Sequence, residues 1–161
     1  MNMINLPKRP GIYALVLYIE RSIVLKVGKL GDCIFQKGIY VYVGSARGKA
    51  STSLKWRILR HLRKKKRLKW HIDFLLSSSY VHVRAIIFAV TSNDLECMLA
   101  RRLLNSGIFK TPILKFGATD CKCPAHLLYY GGEHERRVLD IVISAFRSLL
   151  LKPTIILLSG S

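Results

Sequence analysis

The order of apolar and polar positions divides the chain into a strand-like front, a basic helical middle and a mixed remainder. Gly11–Ile19 is an apolar run bounded by Pro10 and Gly11, which predicts a strand. Ser22–Val27 predicts a second strand, ended by Gly28. Lys29–Gly31 predicts a turn, and Cys33–Gln36 a further extended piece. Gly38 then opens Ile39–Ser45, whose β-branched and aromatic residues suit a pleated surface. Strands this close in sequence predict an antiparallel meander.

The period changes after a Gly-, Lys- and Ser-rich loop, Arg47–Ser53. Leu54, Ile58, Leu59 and Leu62 recur at helical spacing and predict a helix over Leu54–Lys65 that packs on the sheet. Arg57, His61 and Lys64, at i, i+4 and i+7, form a cationic stripe on its other side. Trp70–Leu76 predicts a short helix, Ser77–Ser79 a loop and His82–Val90 a strand. Asn93–Asn105 predicts a helix stopped by Gly107. The segment 109–124 predicts no regular structure, and Leu127–Tyr130 a short strand. Gly131–Gly132 precedes a helix over Glu135–Leu150 with the stripe Val138, Ile141, Val142, Ala145, Phe146 and Leu149. Pro153 ends that helix, and the apolar tail Thr154–Leu158 is expected to pair or pack. The pattern is α+β: a small antiparallel sheet flanked by helices, forming one domain over 1–161. Residues 131–161 would pack on that domain or on a partner, with a homodimer as one outcome.

Composition adds a partner. Lys and Arg number 27 against 9 Asp and Glu, a net charge of +18 over 161 residues. Such a surface implies a polyanion, nucleic acid before all, or an anionic membrane. Apolar stretches such as Ala14–Ile19 are far shorter than the roughly 20 residues of a spanning helix. The N-terminus shows no secretory pattern, and Cys33, Cys97, Cys121 and Cys123 are scattered as in a reducing cytosol. A cytoplasmic protein with no membrane role is expected.

Three separated motifs stand in order: Gly11-Ile12-Tyr13, Tyr42-Val43-Gly44, and Arg57 with His61 one turn on, followed by Glu96 opening a helix. This order resembles the GIY-YIG endonuclease superfamily. The strings Tyr40–Ala46, Arg60–Arg63, Trp70–Asp73 and Asp120–Leu127 resemble one mostly archaeal branch of it, sometimes fused to an endonuclease III-type DNA glycosylase. The resemblance covers roughly residues 10 to 130 and implies a nuclease-like fold, with an extra strand pair between the two motifs. The loop from Gly44 to Arg57 is also long, as it is in that branch. It implies Tyr13 and Tyr42 as the two active-site tyrosines, DNA as the partner and a link to DNA repair, where a repair protein could be a further partner.

The residue types suit phosphodiester cleavage. Glu96 can hold one divalent cation, Mg²⁺ or Mn²⁺, against a phosphate. The guanidinium fork of Arg57 matches phosphate oxygens. Tyrosine is a poor base unless tuned, and Tyr42, tied to Arg57 by a strand, loop and helix, is favoured to orient the water. His61 would relay a proton or bind phosphate. Gly44, Ser45, Arg47, Lys49, Lys55, Arg60, Arg63 and Lys64 are expected to face nucleic acid.

Plainer readings compete. Asn93-x-x-Glu96 is spaced as a capping box, and Tyr13 and Tyr42 alone are ordinary strand aromatics. Gly11 and Gly44 could be turn glycines, and 63–67 a solvated helix end. His71 suits a core histidine bonded to Asp73 or to backbone as well as it suits a site histidine, and Asp73 would support the site. Asp120-Cys121-x-Cys123-x-x-His126 has ligand types for zinc, but Cys-x-Cys is tight for a structural site. Close packing beside the active site, with His126 facing it, is preferred there. The expectation is a metal-dependent DNA endonuclease or structure-selective nickase. The alternatives are a catalytically inactive DNA-binding module and an RNA-directed nuclease.

Overall fold

A computed structural model describes residues 5–158. In chain order the strands and helices are β1 (Gly11–Ile19), β2 (Ile23–Lys26), β3 (Asp32–Phe35), β4 (Gly38–Ala46), α1 (Leu54–Leu62), α2 (His71–Leu76), β5 (Val81–Val90), α3 (Glu96–Leu104), β6 (Phe109–Lys110), β7 (Leu127–Tyr130), α4 (Glu135–Ser148) and β8 (Thr154–Leu157). Six strands form one antiparallel sheet in the order β6-β7-β4-β1-β5-β8. The fold is α+β.

β1 lies inside the sheet, between β4 and β5, and both of its faces are covered. Its odd positions Tyr13, Leu15, Leu17 and Ile19 join Tyr40 and Tyr42 of β4 in a core closed by Leu54 and Ile58 of α1 and Ile72 and Leu75 of α2. Its even positions Ile12, Ala14 and Val16 join Val41, Val43 and Ile87 in a second core under Leu99 and Leu103 of α3 and Val138, Val142 and Phe146 of α4. This two-sided burial explains why β1 is apolar at both parities rather than alternating. Leu54 and Ile58 are fully buried, and each contributes about 1.5–3 kcal/mol of transfer free energy.

The strand pairing departs from a meander. β1 pairs with β4 and β5, and β2 and β3 form a separate two-stranded ribbon. The ribbon buries one face only, with Cys33 and Phe35 inward and Val24 and Ile34 exposed. It packs as a flap on α2 rather than within the sheet. Two helix ends also differ. α1 stops at Leu62, where Arg63 turns extended and the Lys66 ammonium donates to the carbonyls of Arg60 and His61 at 3.1 and 2.8 Å. The Arg60 carbonyl also accepts from the backbone N–H of Arg63 at 3.3 Å, so Lys66 completes the cap of the helix end. Lys64 therefore lies beyond the helix and shares no stripe with Arg57. α3 begins at Glu96, three residues after Asn93, on an N-cap Leu95 that makes no side-chain cap. The tail strand β8 pairs with β5 and extends the sheet.

Candidate functional site

Sheet register sets the two tyrosines side by side. Tyr13 faces Gly44 and Leu15 faces Tyr42 across β1 and β4, so both tyrosines project diagonally from one face. Gly44 exists to admit Tyr13: a Cβ there would overlap Cζ and the hydroxyl of Tyr13 and stand 2.7 Å from Cε2. A Cβ on Gly11 would overlap the carbonyl oxygen of Ala89. Neither glycine has positive φ, so both serve close packing, not a turn. Gly44 is thus a packing residue, and it also lines the cleft beside Tyr13.

α1 supplies the next groups. His61 is buried rather than on a solvent stripe, and its Nε2 lies 2.6 Å from the Tyr13 hydroxyl. Burial foremost, with Lys66 beside it, pushes the His61 pKa down to about 3, so the imidazole is neutral at pH 7. Burial likewise raises Tyr13 and Tyr42, against the opposing pull of Arg57, so both phenols keep their protons. Among the described residues the Tyr42 hydroxyl makes no hydrogen bond, and it lines the cleft. The Arg57 guanidinium sits 4.7 Å over the Trp70 ring and also borders the cleft.

Arg60 and Asp73 belong to the scaffold. Arg60 grips Asp73 with both ends of its fork at 2.7 and 2.8 Å, and Asp73 Oδ2 also accepts from the backbone N–H of Lys69 and Trp70. The carboxylate thus caps α2 from its third position. With its fork committed there, Arg60 is not available as a phosphate ligand, contrary to the sequence expectation. His71 turns away from Asp73; its Nδ1 accepts from the backbone N–H of Gly117 at 2.9 Å and holds the 111–126 loop.

Glu96 enters from the opposite layer, at the first position of α3. Its Oε2 accepts from the Ser45 hydroxyl at 2.9 Å, and its Oε1 lies 3.2 Å from His126 Nδ1, an ion-pair distance rather than an aligned hydrogen bond. Burial would raise its pKa, but His126 and Ser45 outweigh burial and hold it below the usual carboxylate value. The capping-box reading fails because the carboxylate reaches across to β4 instead of back to Asn93. Ser45, expected to touch nucleic acid, orients Glu96.

These groups meet because β7 covers only Ile39–Tyr42 of β4. One further rung, the Val43 N–H to the His126 carbonyl at 2.8 Å, ends the pairing. Beyond it the edge of β4 is open, and a cleft of about 350 Å³ forms there, lined by Tyr13, Tyr42, Arg57, Glu96, Asp120 and His126 among others. Groups from both faces of the sheet converge around that edge. On the rim Arg47 pairs with Asp94 at 3.0 Å, both well exposed. Lys49, Arg63 and Lys64 are exposed, and the half-buried Lys55 lies 5.3 Å from the Trp56 ring centre.

A second cluster borders the same cleft. Cys97 on α3 joins Cys121, Cys123 and His126 of the loop, with ligand atoms all within 4.8 Å of one another. His126 Nε2 is 3.6 Å from the sulfurs of both Cys97 and Cys121. Four soft and borderline donors so grouped could hold a metal ion. Sequence reasoning grouped the last three and missed Cys97. Its one available signal was its place beside Glu96 at the start of a helix.

Fold and cleft define an α+β domain whose open sheet edge gathers two tyrosines, an arginine and a carboxylate beside a thiol–imidazole cluster. The chain belongs to the DUF123 family, a domain of unknown function, whose model matches residues 12–150. Comparisons with curated proteins and with solved structures return no match. No helix among the described residues is long and apolar enough to cross a membrane.

Proposed function

We propose that the protein is a metal-dependent DNA endonuclease or nickase of the GIY-YIG type. The observation that carries this reading is the convergence of Tyr13, Tyr42, Arg57 and Glu96 in one cleft. They come from four different elements, β1, β4, α1 and α3. The motif order supports it, as does a net charge of +18 that suits a polyphosphate. The occasional fusion of the resembling branch to DNA glycosylases supports a repair setting.

Each group has a role its surroundings suit. Glu96 is ionised, and each oxygen keeps a lone pair beyond its Ser45 or His126 partner, so a largely hydrated Mg²⁺ or Mn²⁺ fits there. Such a cation supplies Lewis acidity to the phosphate and the leaving oxygen when bound. Arg57 faces the phosphate, its plane steadied on Trp70, and offsets charge that grows in the transition state. The Tyr42 hydroxyl orients the attacking water. Tyr13, held by its hydrogen bond to the neutral His61, keeps its hydroxyl fixed on the wall of the same cleft.

The test is cleavage of supercoiled plasmid and labelled branched DNA with Mg²⁺, Mn²⁺ or EDTA, using wild type, Glu96→Gln and Arg57→Ala. Metal-dependent nicking that falls by about 100-fold or more in both variants is expected. Cleavage retained in both would overturn the mechanism. A second reading, an inactive DNA-binding module, draws on the fact that both Glu96 oxygens already have protein partners. It predicts salt-sensitive DNA binding without any metal-dependent product. Matched DNA and RNA competitors separate either reading from an RNA-directed one.

A further inference from the structure

We infer that Cys97, Cys121, Cys123 and His126 form a structural zinc site that locks the 111–126 loop to α3 and orients His126 against Glu96. Tetrahedral zinc, with Zn–S near 2.3 Å and Zn–N near 2.0–2.1 Å, sets its nitrogen and sulfur ligands about 3.6 Å apart and its sulfurs about 3.8 Å apart. His126 Nε2 stands 3.6 Å from Cys97 Sγ and 3.6 Å from Cys121 Sγ, and all four donor atoms lie within 4.8 Å. The ligand shell is already close to the size the ion requires.

Donor type narrows the metal. Three thiols and one imidazole select zinc over the hard cations suited to Glu96. Four protein ligands fill a tetrahedron and leave no position for water, so this site is structural rather than catalytic. Hydrogen bonds within the loop hold it in a ligating shape. The Lys115 ammonium donates to the carbonyls of Cys121 and Cys123 at 3.0 and 3.2 Å, and its backbone N–H bonds to the Pro124 carbonyl. These bonds fold the tight Cys-x-Cys turn that looked unfavourable by spacing alone.

The second nitrogen of His126 links the two centres. With Nε2 on zinc, the proton resides on Nδ1, which lies 3.2 Å from Glu96 Oε1. Carboxylates in that position orient a ligating histidine and strengthen its bond to the metal. Glu96 is thereby a positioning residue for the zinc site as well as a wall of the cleft.

Metal content is read without DNA, so zinc binding and the nuclease reading fail separately. Protein prepared under reducing conditions, incubated with Zn²⁺ and washed, is expected to hold one zinc per chain by elemental mass spectrometry. Replacement by Co²⁺ should give the intense visible bands of a tetrahedral ion with thiolate charge transfer. Cys97→Ser should weaken metal binding by at least tenfold, and Glu96→Gln by 10- to 100-fold. Less than one-tenth of an equivalent in wild type, or a weak octahedral cobalt spectrum, would overturn the site. Undiminished affinity in folded Cys97→Ser would overturn the ligand set, and in Glu96→Gln the positioning role.

Discussion

Replacing Gly44 with alanine tests how the sheet builds the cleft. The added Cβ would overlap Cζ and the hydroxyl of Tyr13 and stand 2.7 Å from Cε2, while ordinary contact begins near 3.4 Å. The ring end must therefore withdraw by about 1 Å. Tyr13 is 2% exposed, so it can move only into packed neighbours. Overpacking of this kind costs about 1–3 kcal/mol. At roughly 2–4 °C per kcal/mol for a domain of this size, Tm should fall by roughly 2–12 °C. The same displacement stretches the 2.6 Å contact of Tyr13 with His61 towards or beyond the limit of a hydrogen bond. A positional error of about 1 Å should lower single-turnover cleavage by about 100-fold. Thermal melts and single-turnover assays of Gly44→Ala measure both effects. Adding Tyr13→Leu removes the obstructing ring end. The double variant should then melt within about 1 kcal/mol of Tyr13→Leu alone, a coupling that additive sites would not show. Gly44→Ala with an unchanged Tm, or strictly additive losses, would refute the apposition of Gly44 and Tyr13.

Two further predictions concern the scaffold and the basic surface. Asp73→Asn should cost about 1.5–3 kcal/mol by thermal or urea melts, because it removes a charge-assisted pair with Arg60 but keeps the shape. Burial would raise Asp73, but its bonds to Arg60 and the backbone lower it below its ordinary 3.8. Its contribution is therefore complete above that value and lost as pH falls through the depressed one. The gap between wild type and variant should stay level from neutral pH to about pH 5 and close only in stronger acid; a gap that closes between about pH 8 and 6 contradicts this. The variant R63Q/K64Q/K65Q removes three exposed cations beyond α1. The slope of log affinity for duplex DNA against log salt should flatten by about 2–3, and an unchanged slope would mean that this tract faces solvent only.

The fold was legible where burial follows a local period. Val138, Val142, Ala145 and Phe146 of α4 are buried as their stripe predicts, with Ile141 at its margin. His61 was misassigned although the signal was present. Leu54, Ile58 and His61 stand at i, i+4 and i+7 and are all buried, so His61 belongs to the apolar stripe. Its charge-bearing residue type drew it into the Arg57 stripe instead. The end of α1 was not legible, because residues 63–67 are good helix formers and the Lys66 cap depends on a chain reversal. Glu96 illustrates the limit from the other side. Its local spacing pointed to a cap, and only a partner 51 residues earlier, Ser45, draws the carboxylate to the cleft. Cys97 was invisible for the same reason, since its ligand partners lie on a loop that only the sheet brings back.

That loop explains why a cleft survives in a sheet otherwise covered on both sides. β7 pairs with four residues of β4 and then stops, so Gly44, Ser45 and Ala46 have no strand beyond them. An open edge normally invites pairing with another chain. Here the 111–126 loop runs alongside it, joined by one rung at Val43, by the His71 contact to Gly117 and by the His126 contact to Glu96. Each of these adds only about 0.5–1.5 kcal/mol net, beside the fully buried Phe116, which anchors the loop in the core. A metal bridging Cys97 to Cys121, Cys123 and His126 would join the loop to α3 with the free energy of four ligand bonds. The edge would stay open because the loop beside it is fixed. That condition is what lets Glu96 from one layer and Tyr13, Tyr42 and Arg57 from the other line a single cleft.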